Sequence, residues 1–119
     1  MSLPTEKLVE IVIEGLKNNK AKDIHVLNLK NLENAVSEYF IVCHGTSKTH
    51  VSSTAQSVEK EVKTVLGEHP WKKEGYTNGE WVLVDFDSVV LHVMQPPIRE
   101  FYDLERLWDR RSRDTAENG

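Results

Sequence analysis

Apolar residues recur along this chain with two different periods, and the switches between them predict its elements. Over residues 4–18, Leu8, Val12 and Leu16 fall on one helical stripe with Val9 and Ile13 beside it. Pro4 is tolerable at the helix start, where its missing N–H costs nothing. Residues 23–29, DIHVLNL, read as a strand, and KNLENAVS as a polar connection. The nearly continuous apolar run 38–45, EYFIVCHG, predicts a central strand covered on both sides. Thr46 or Ser47 can then cap a helix running to about Leu66. Its apolar face is Val51, Ala55, Val58, Val62 and Val65, and Gly67 is placed to end it. HPWKKEGY reads as a short edge strand, since lysines and a nearby proline suit an edge. Asn78-Gly79 follows as a tight-turn signal. Strands 80–86 and 89–94 flank Asp87-Ser88 as a hairpin. Pro96 and Pro97 break the last strand and open a helix from about Pro97 to Asp109.

The order α-β-β-α-β-β-β-α predicts a mixed sheet with helices packed on it, in the α+β or mixed α/β class. One domain over residues 1–109 is expected, followed by a polar tail, 110–119, without apolar period and read as disordered.

The hairpin carries the most information. With Asp87-Ser88 as a two-residue turn, Phe86 lies opposite Val89, Val84 opposite Leu91 and Val82 opposite Val93. These six residues make a wholly apolar face that must meet the core. The other face is Trp81, Leu83, Asp85, Val90, His92 and Met94. It mixes aromatic, thioether, imidazole and carboxylate groups. Two readings fit it: a second core layer beneath a helix, or a binding face with Trp and Met as anchors and charges setting register. The last helix is also apolar over more than one stripe, through Ile98, Phe101, Leu104, Leu107 and Trp108, with Tyr102 to one side. Arg99 and Asp103, four apart, read as a solvated pair.

Composition narrows the partners. The chain has 119 residues, 39% hydrophobic and 29% charged, which suits one compact soluble core. A net charge of -4 disfavours general nucleic-acid binding and favours a basic partner. The arginines Arg106, Arg110, Arg111 and Arg113 lack interleaved aromatics, and read as a solubilising tail. No apolar run approaches the ~18 residues of a membrane span, and the N-terminus lacks the layout of a signal or transit peptide. A cytoplasmic protein is the expectation.

Catalytic and metal chemistry are less well supported. Gly45-Thr46-Ser47 closes a strand and opens a helix, where phosphates can sit, and Asp85-x-Asp87 could hold Mg²⁺. Together they resemble the Gly-Ser and Asp-x-Asp elements of nucleotidyltransferases. A third carboxylate on the next strand is missing, and Asp is a common turn residue for local reasons. Cap plus turn is therefore preferred to catalysis. The five histidines form no His-x-x-x-His pair on a helix, and the single cysteine, Cys43, lies mid-strand as an inert thiol. His50 reads as a surface or capping-region group. No cofactor and no metal site are expected.

YFIVCHGTSKTHVSSTA, WVLVDFDSVVLHVM and REFYDLERLW, in that order and spacing, resemble the Iojap family, the ribosomal silencing factors called RsfS. The likeness runs from about Asp23 to Trp108. It implies a nucleotidyltransferase-like fold without an established activity, and a tendency to homodimerise. It also implies binding to the large ribosomal subunit through the fourteenth large-subunit ribosomal protein. Subunit joining would be blocked and translation repressed, chiefly in starvation or stationary phase. Carried over by position, the contact candidates are Trp81, Leu83, Asp85, His92 and Met94, with Tyr102 from the last helix. The family's usual Gly-Asp at the hairpin turn is here Asp87-Ser88, a departure that creates the Asp-x-Asp look. Without a presequence, a bacterial member is expected rather than an organellar one. A nucleotide-binding protein or enzyme is the alternative.

Overall fold

The computed structural model describes residues 4–108. In chain order the elements are α1 (Thr5–Asn18), β1 (Lys22–Asn28), β2 (Tyr39–His44), α2 (Lys48–Leu66), β3 (Lys72–Glu74), β4 (Trp81–Asp85), β5 (Val89–Met94) and α3 (Pro96–Tyr102). The strands form one sheet in the order β1-β2-β5-β4-β3. β2 and β5 run parallel, and the other neighbours are antiparallel. This is the mixed sheet that the element order implies. No helix among the described residues is long and apolar enough to cross a membrane.

The sheet has two buried faces. On the first, Ile41, Cys43, Val82, Val84, Val89, Leu91 and Val93 meet α1 and α2. Leu8, Val12 and Leu16 of α1 and Val51, Ala55, Val58 and Val62 of α2 supply the helical side, all buried. Val65, expected on that stripe, is half-exposed, while Leu66 packs against the core. Ser47 caps α2, its hydroxyl accepting from the His50 N–H at 3.0 Å. Gly67 ends the helix with left-handed backbone at φ 69°.

α1 and α2 cross closely at Gly15. A methyl group there would lie 2.8 Å from the Val58 Cα, and the Ser57 hydroxyl donates to the Gly15 carbonyl at 2.8 Å. The missing side chain is what lets the two backbones approach.

On the second face, Leu27, Leu29, Phe40, Val42, Val90 and Met94 form a smaller cluster. It is covered by the loop bearing Leu32 and Ala35 and by Ile98, Leu104 and Trp108.

Two sequence expectations are corrected. The tight turn signalled by Asn78-Gly79 is not centred on that pair. The β3–β4 connection is a wider loop closed by the Gly79 N–H donating to the Gly75 carbonyl at 2.9 Å, and Gly79 is buried against Lys48. The last helix is not continuous to Asp109: α3 ends at Tyr102, and Asp103 takes left-handed backbone at φ 46°. Helical structure resumes over 104–108. Asp tolerates that conformation better than most side chains. Asp109 and the tail 110–119 lie outside the described residues.

Gly15→Ala should lower stability by about 1–3 kcal/mol even though Ala is the better helix former, because the added carbon meets backbone rather than a flexible side chain. Urea unfolding should show a lower midpoint with an unchanged slope.

Candidate functional site

The β4–β5 register is the one that strand alternation predicts. Val82 pairs with Val93 and Val84 with Leu91, and on the outer face Trp81 pairs with Met94, Leu83 with His92 and Asp85 with Val90. The six candidate contact residues then divide by burial. Met94 has no exposed surface and His92 only 4%. Trp81, Leu83 and Asp85 are half-buried, and Tyr102 is half-exposed. In this chain, His92 and Met94 lie beneath the surface and support it, while Trp81, Leu83, Asp85 and Tyr102 present it. The reading of this face as a second core layer holds for His92 and Met94, and Trp81, Leu83, Asp85 and Tyr102 form a partly exposed rim around it.

The rim is aromatic and continuous with the layer under it. The Trp81 and Tyr102 rings lie 4.9 Å apart, and Tyr102 and Phe101 5.0 Å apart edge-on. Phe101 is 80% exposed. Inward, His92 meets the edge of Phe40 at 4.8 Å, and Phe40 meets Trp108 at 5.6 Å. Trp81 joins the two parts, because its indole N–H donates to His92 Nδ1 at 3.1 Å.

That hydrogen bond has two consequences. The indole N–H is used within the chain, so Trp81 offers a partner ring surface. Since Nδ1 accepts, the neutral imidazole carries its proton on Nε2, which is buried with no hydrogen-bond partner among the described residues. Burial pushes the His92 pKa down to about 4, so the ring is neutral near pH 7. The aromatic rim therefore rests on a neutral, buried layer.

The candidate catalytic residues are otherwise engaged. The Asp85 carboxylate accepts from the Asp87 N–H at 2.7 Å, and Asp87 holds the turn with φ 75°. The Asp-x-Asp pair is thus a turn with its own cap, not two converging ligands. In the Gly45-Thr46-Ser47 segment, His50 Nδ1 accepts from the Thr46 N–H at 2.9 Å, and His50 Nε2 lies 2.7 Å from the Asn19 carbonyl. This histidine closes the loop onto the end of α1. Burial drives the Cys43 thiol up to about 12. Among the described residues no three His, Cys, Asp or Glu side chains gather as a metal site.

Sequence reasoning missed Arg99. It is buried, 9% exposed, and its partner is Glu105 rather than Asp103. Nε and one Nη donate to the two Glu105 oxygens, each at 2.8 Å. The guanidinium also reaches the Asp23 carbonyl at 2.7 Å and His44 Nδ1 at 2.7 Å. Helical periodicity contains no signal for this set, because residues six apart do not face each other on a continuous helix.

Residues 2–118 match the family described as "Ribosomal silencing factor during starvation". The chain belongs to the ribosomal silencing factor family. A member of that family, the ribosomal silencing factor RsfS of Chromobacterium violaceum, is 39% identical over 103 residues, covering 87% of this chain and 83% of its own. A crystal structure of a C. violaceum protein superimposes with a TM-score of 0.84 at 36% identity, over 90% of this chain and 88% of that one. The mouse protein named "Mitochondrial assembly of ribosomal large subunit protein 1" is 34% identical over 108 residues, covering 89% of this chain and 47% of its own.

The His92 environment predicts a pH dependence. An ordinary histidine titrates near 6.5, so below that pH the unfolded chain binds a proton that the folded chain refuses until about pH 4. Stability from this site is complete above 6.5 and is lost as pH falls towards 4, by about 3 kcal/mol in all. His92→Gln, which cannot titrate, should flatten the curve of unfolding free energy over that window.

Proposed function

We propose that this protein binds the large ribosomal subunit through the fourteenth large-subunit ribosomal protein and so blocks joining of the small subunit. Translation is repressed by occlusion, chiefly in starvation or stationary phase, and no catalytic step is involved. Family membership supports the ribosomal setting. The observation that carries the docking reading is the aromatic rim in which Trp81 of the hairpin meets Tyr102 and Phe101 of α3. Aromatic anchors with a few charges beside them are the usual core of a protein interface, and Asp85 supplies a half-buried carboxylate at that edge. An acidic chain of net charge -4 also suits a basic ribosomal protein, because opposite fields steer the encounter.

Within this proposal Trp81, Leu83, Asp85 and Tyr102 touch the partner, and His92 and Met94 hold them from below. The protein acts in the bacterial cytoplasm, and a homodimer is its state away from the ribosome. Sedimentation equilibrium of the free protein measures that state directly.

Purified protein at micromolar concentration should pellet with isolated large subunits and slow their joining with small subunits; absence from the pellet would sink the proposal. Trp81→Ala should weaken that binding by about 2 kcal/mol or more, roughly 30-fold in Kd. The same variant with a native circular dichroism spectrum and undiminished affinity would assign Trp81 to packing.

A further inference from the structure

The Arg99 guanidinium ties together parts of the chain that are distant in sequence. It sits in α3, and through Glu105 it binds the helical turn beyond the Asp103 break. Through the Lys22 carbonyl at 3.4 Å and the Asp23 carbonyl at 2.7 Å it binds the irregular start of β1. There the β1–β2 register shifts and Asp23 has φ 45°. Through His44 it binds the end of β2. Glu105 is bound from its other side by His25 at 2.7 Å. Every N–H of the guanidinium is thereby directed at an acceptor.

The consequence falls on the rim. In an unbroken helix, residues 99 and 105 would lie well apart around the axis. Their bidentate pairing requires the break at Asp103. That break turns Leu104 and Trp108 back onto Phe40 and the second face, while Phe101 and Tyr102 stay outward beside Trp81. Were the helix to continue past Tyr102, the same apolar residues would be redistributed around one cylinder.

We propose that Arg99 is a positioning residue for the docking surface: its pairing with Glu105 across the Asp103 break sets where Tyr102 and Phe101 stand relative to Trp81. The inference rests on the rim being the docking surface. It goes further in assigning partner affinity to an ion pair between the buried Arg99 and the partly buried Glu105, outside the rim itself. Lysine cannot replace arginine here, because one ammonium cannot span both carboxylate oxygens and the β1 carbonyls together.

Arg99→Lys separates this role from simple stabilisation. The variant should unfold cooperatively with a native far-ultraviolet spectrum, yet lose near-ultraviolet circular dichroism from its Trp and Tyr rings. Its affinity for large subunits should fall by about tenfold, and the fall should shrink to less than about threefold in a Tyr102→Ala background, since coupled residues are not additive. Glu105→Gln keeps the side-chain volume and makes the same comparison if Arg99→Lys does not fold. Unchanged affinity in the folded variant would overturn the proposal, and so would an undiminished loss in the Tyr102→Ala background, which would make Arg99 a contact in its own right. If the unaltered protein fails to bind large subunits, the docking reading fails separately. The near-ultraviolet signal then still decides the clamp: retained in Arg99→Lys, it overturns it, and lost, it supports it.

Discussion

Every residue of β5, from Val89 to Met94, is buried. This follows from its pairing with β2 in parallel, in register from Tyr39–Val89 to His44–Met94, at the centre of the sheet. A parallel pair is stable where both faces are covered, and these two strands supply apolar side chains to both. Ile41, Cys43, Leu91 and Val93 point to the two long helices, and Phe40, Val42, Val90 and Met94 point the other way. The rest of the molecule is arranged around the need to cover that second set.

The two faces are closed by unequal means. α1 and α2, of 14 and 19 residues, cross at Gly15 and seal the first. The second has α3 of seven residues, about 10 Å long, together with a turn and a loop. Cover that short reaches Phe40, Val90 and Met94 but leaves Trp81 and Leu83 half-buried at its margin. The exposed aromatic rim is therefore a result of how the second core is closed. It is tied to the layer below, where His92 accepts the Trp81 indole proton.

Charge is distributed in the same unequal way. Most charged side chains lie at the surface, but Arg99 is buried. A buried guanidinium is tolerable when its donors are matched, and Glu105, His44 and the β1 carbonyls match them. The hydrogen bonds from Arg99 hold the Glu105 carboxyl below the usual range. His44 is pushed the other way from a charged imidazole, first by burial and then by the neighbouring guanidinium. A positive charge at the end of β2 thus belongs to one residue, fixed in place, rather than being shared among titrating groups.

The local pattern of the chain was sufficient for much of this. Alternation about Asp87-Ser88 set the hairpin register and named both of its faces, because a strand has a period of two and a one-residue slip would expose the core. Ser47 and Gly67 marked the ends of α2 through the backbone groups that they satisfy. The family was legible in motifs spread over most of the chain. Burial within the outer face was not legible: Trp81 and Met94 are cross-strand partners, yet one is half-buried and the other fully covered, according to where a short helix from elsewhere in the chain comes to rest. The break at Asp103 was hidden because the apolar spacing continues through it. The partners of Arg99 were hidden because Lys22, Asp23 and His44 lie 55 or more positions away. Periodicity records which side of an element is apolar. Only packing in three dimensions decides what covers that side, and here it decided which residues of the outer face stay at the surface.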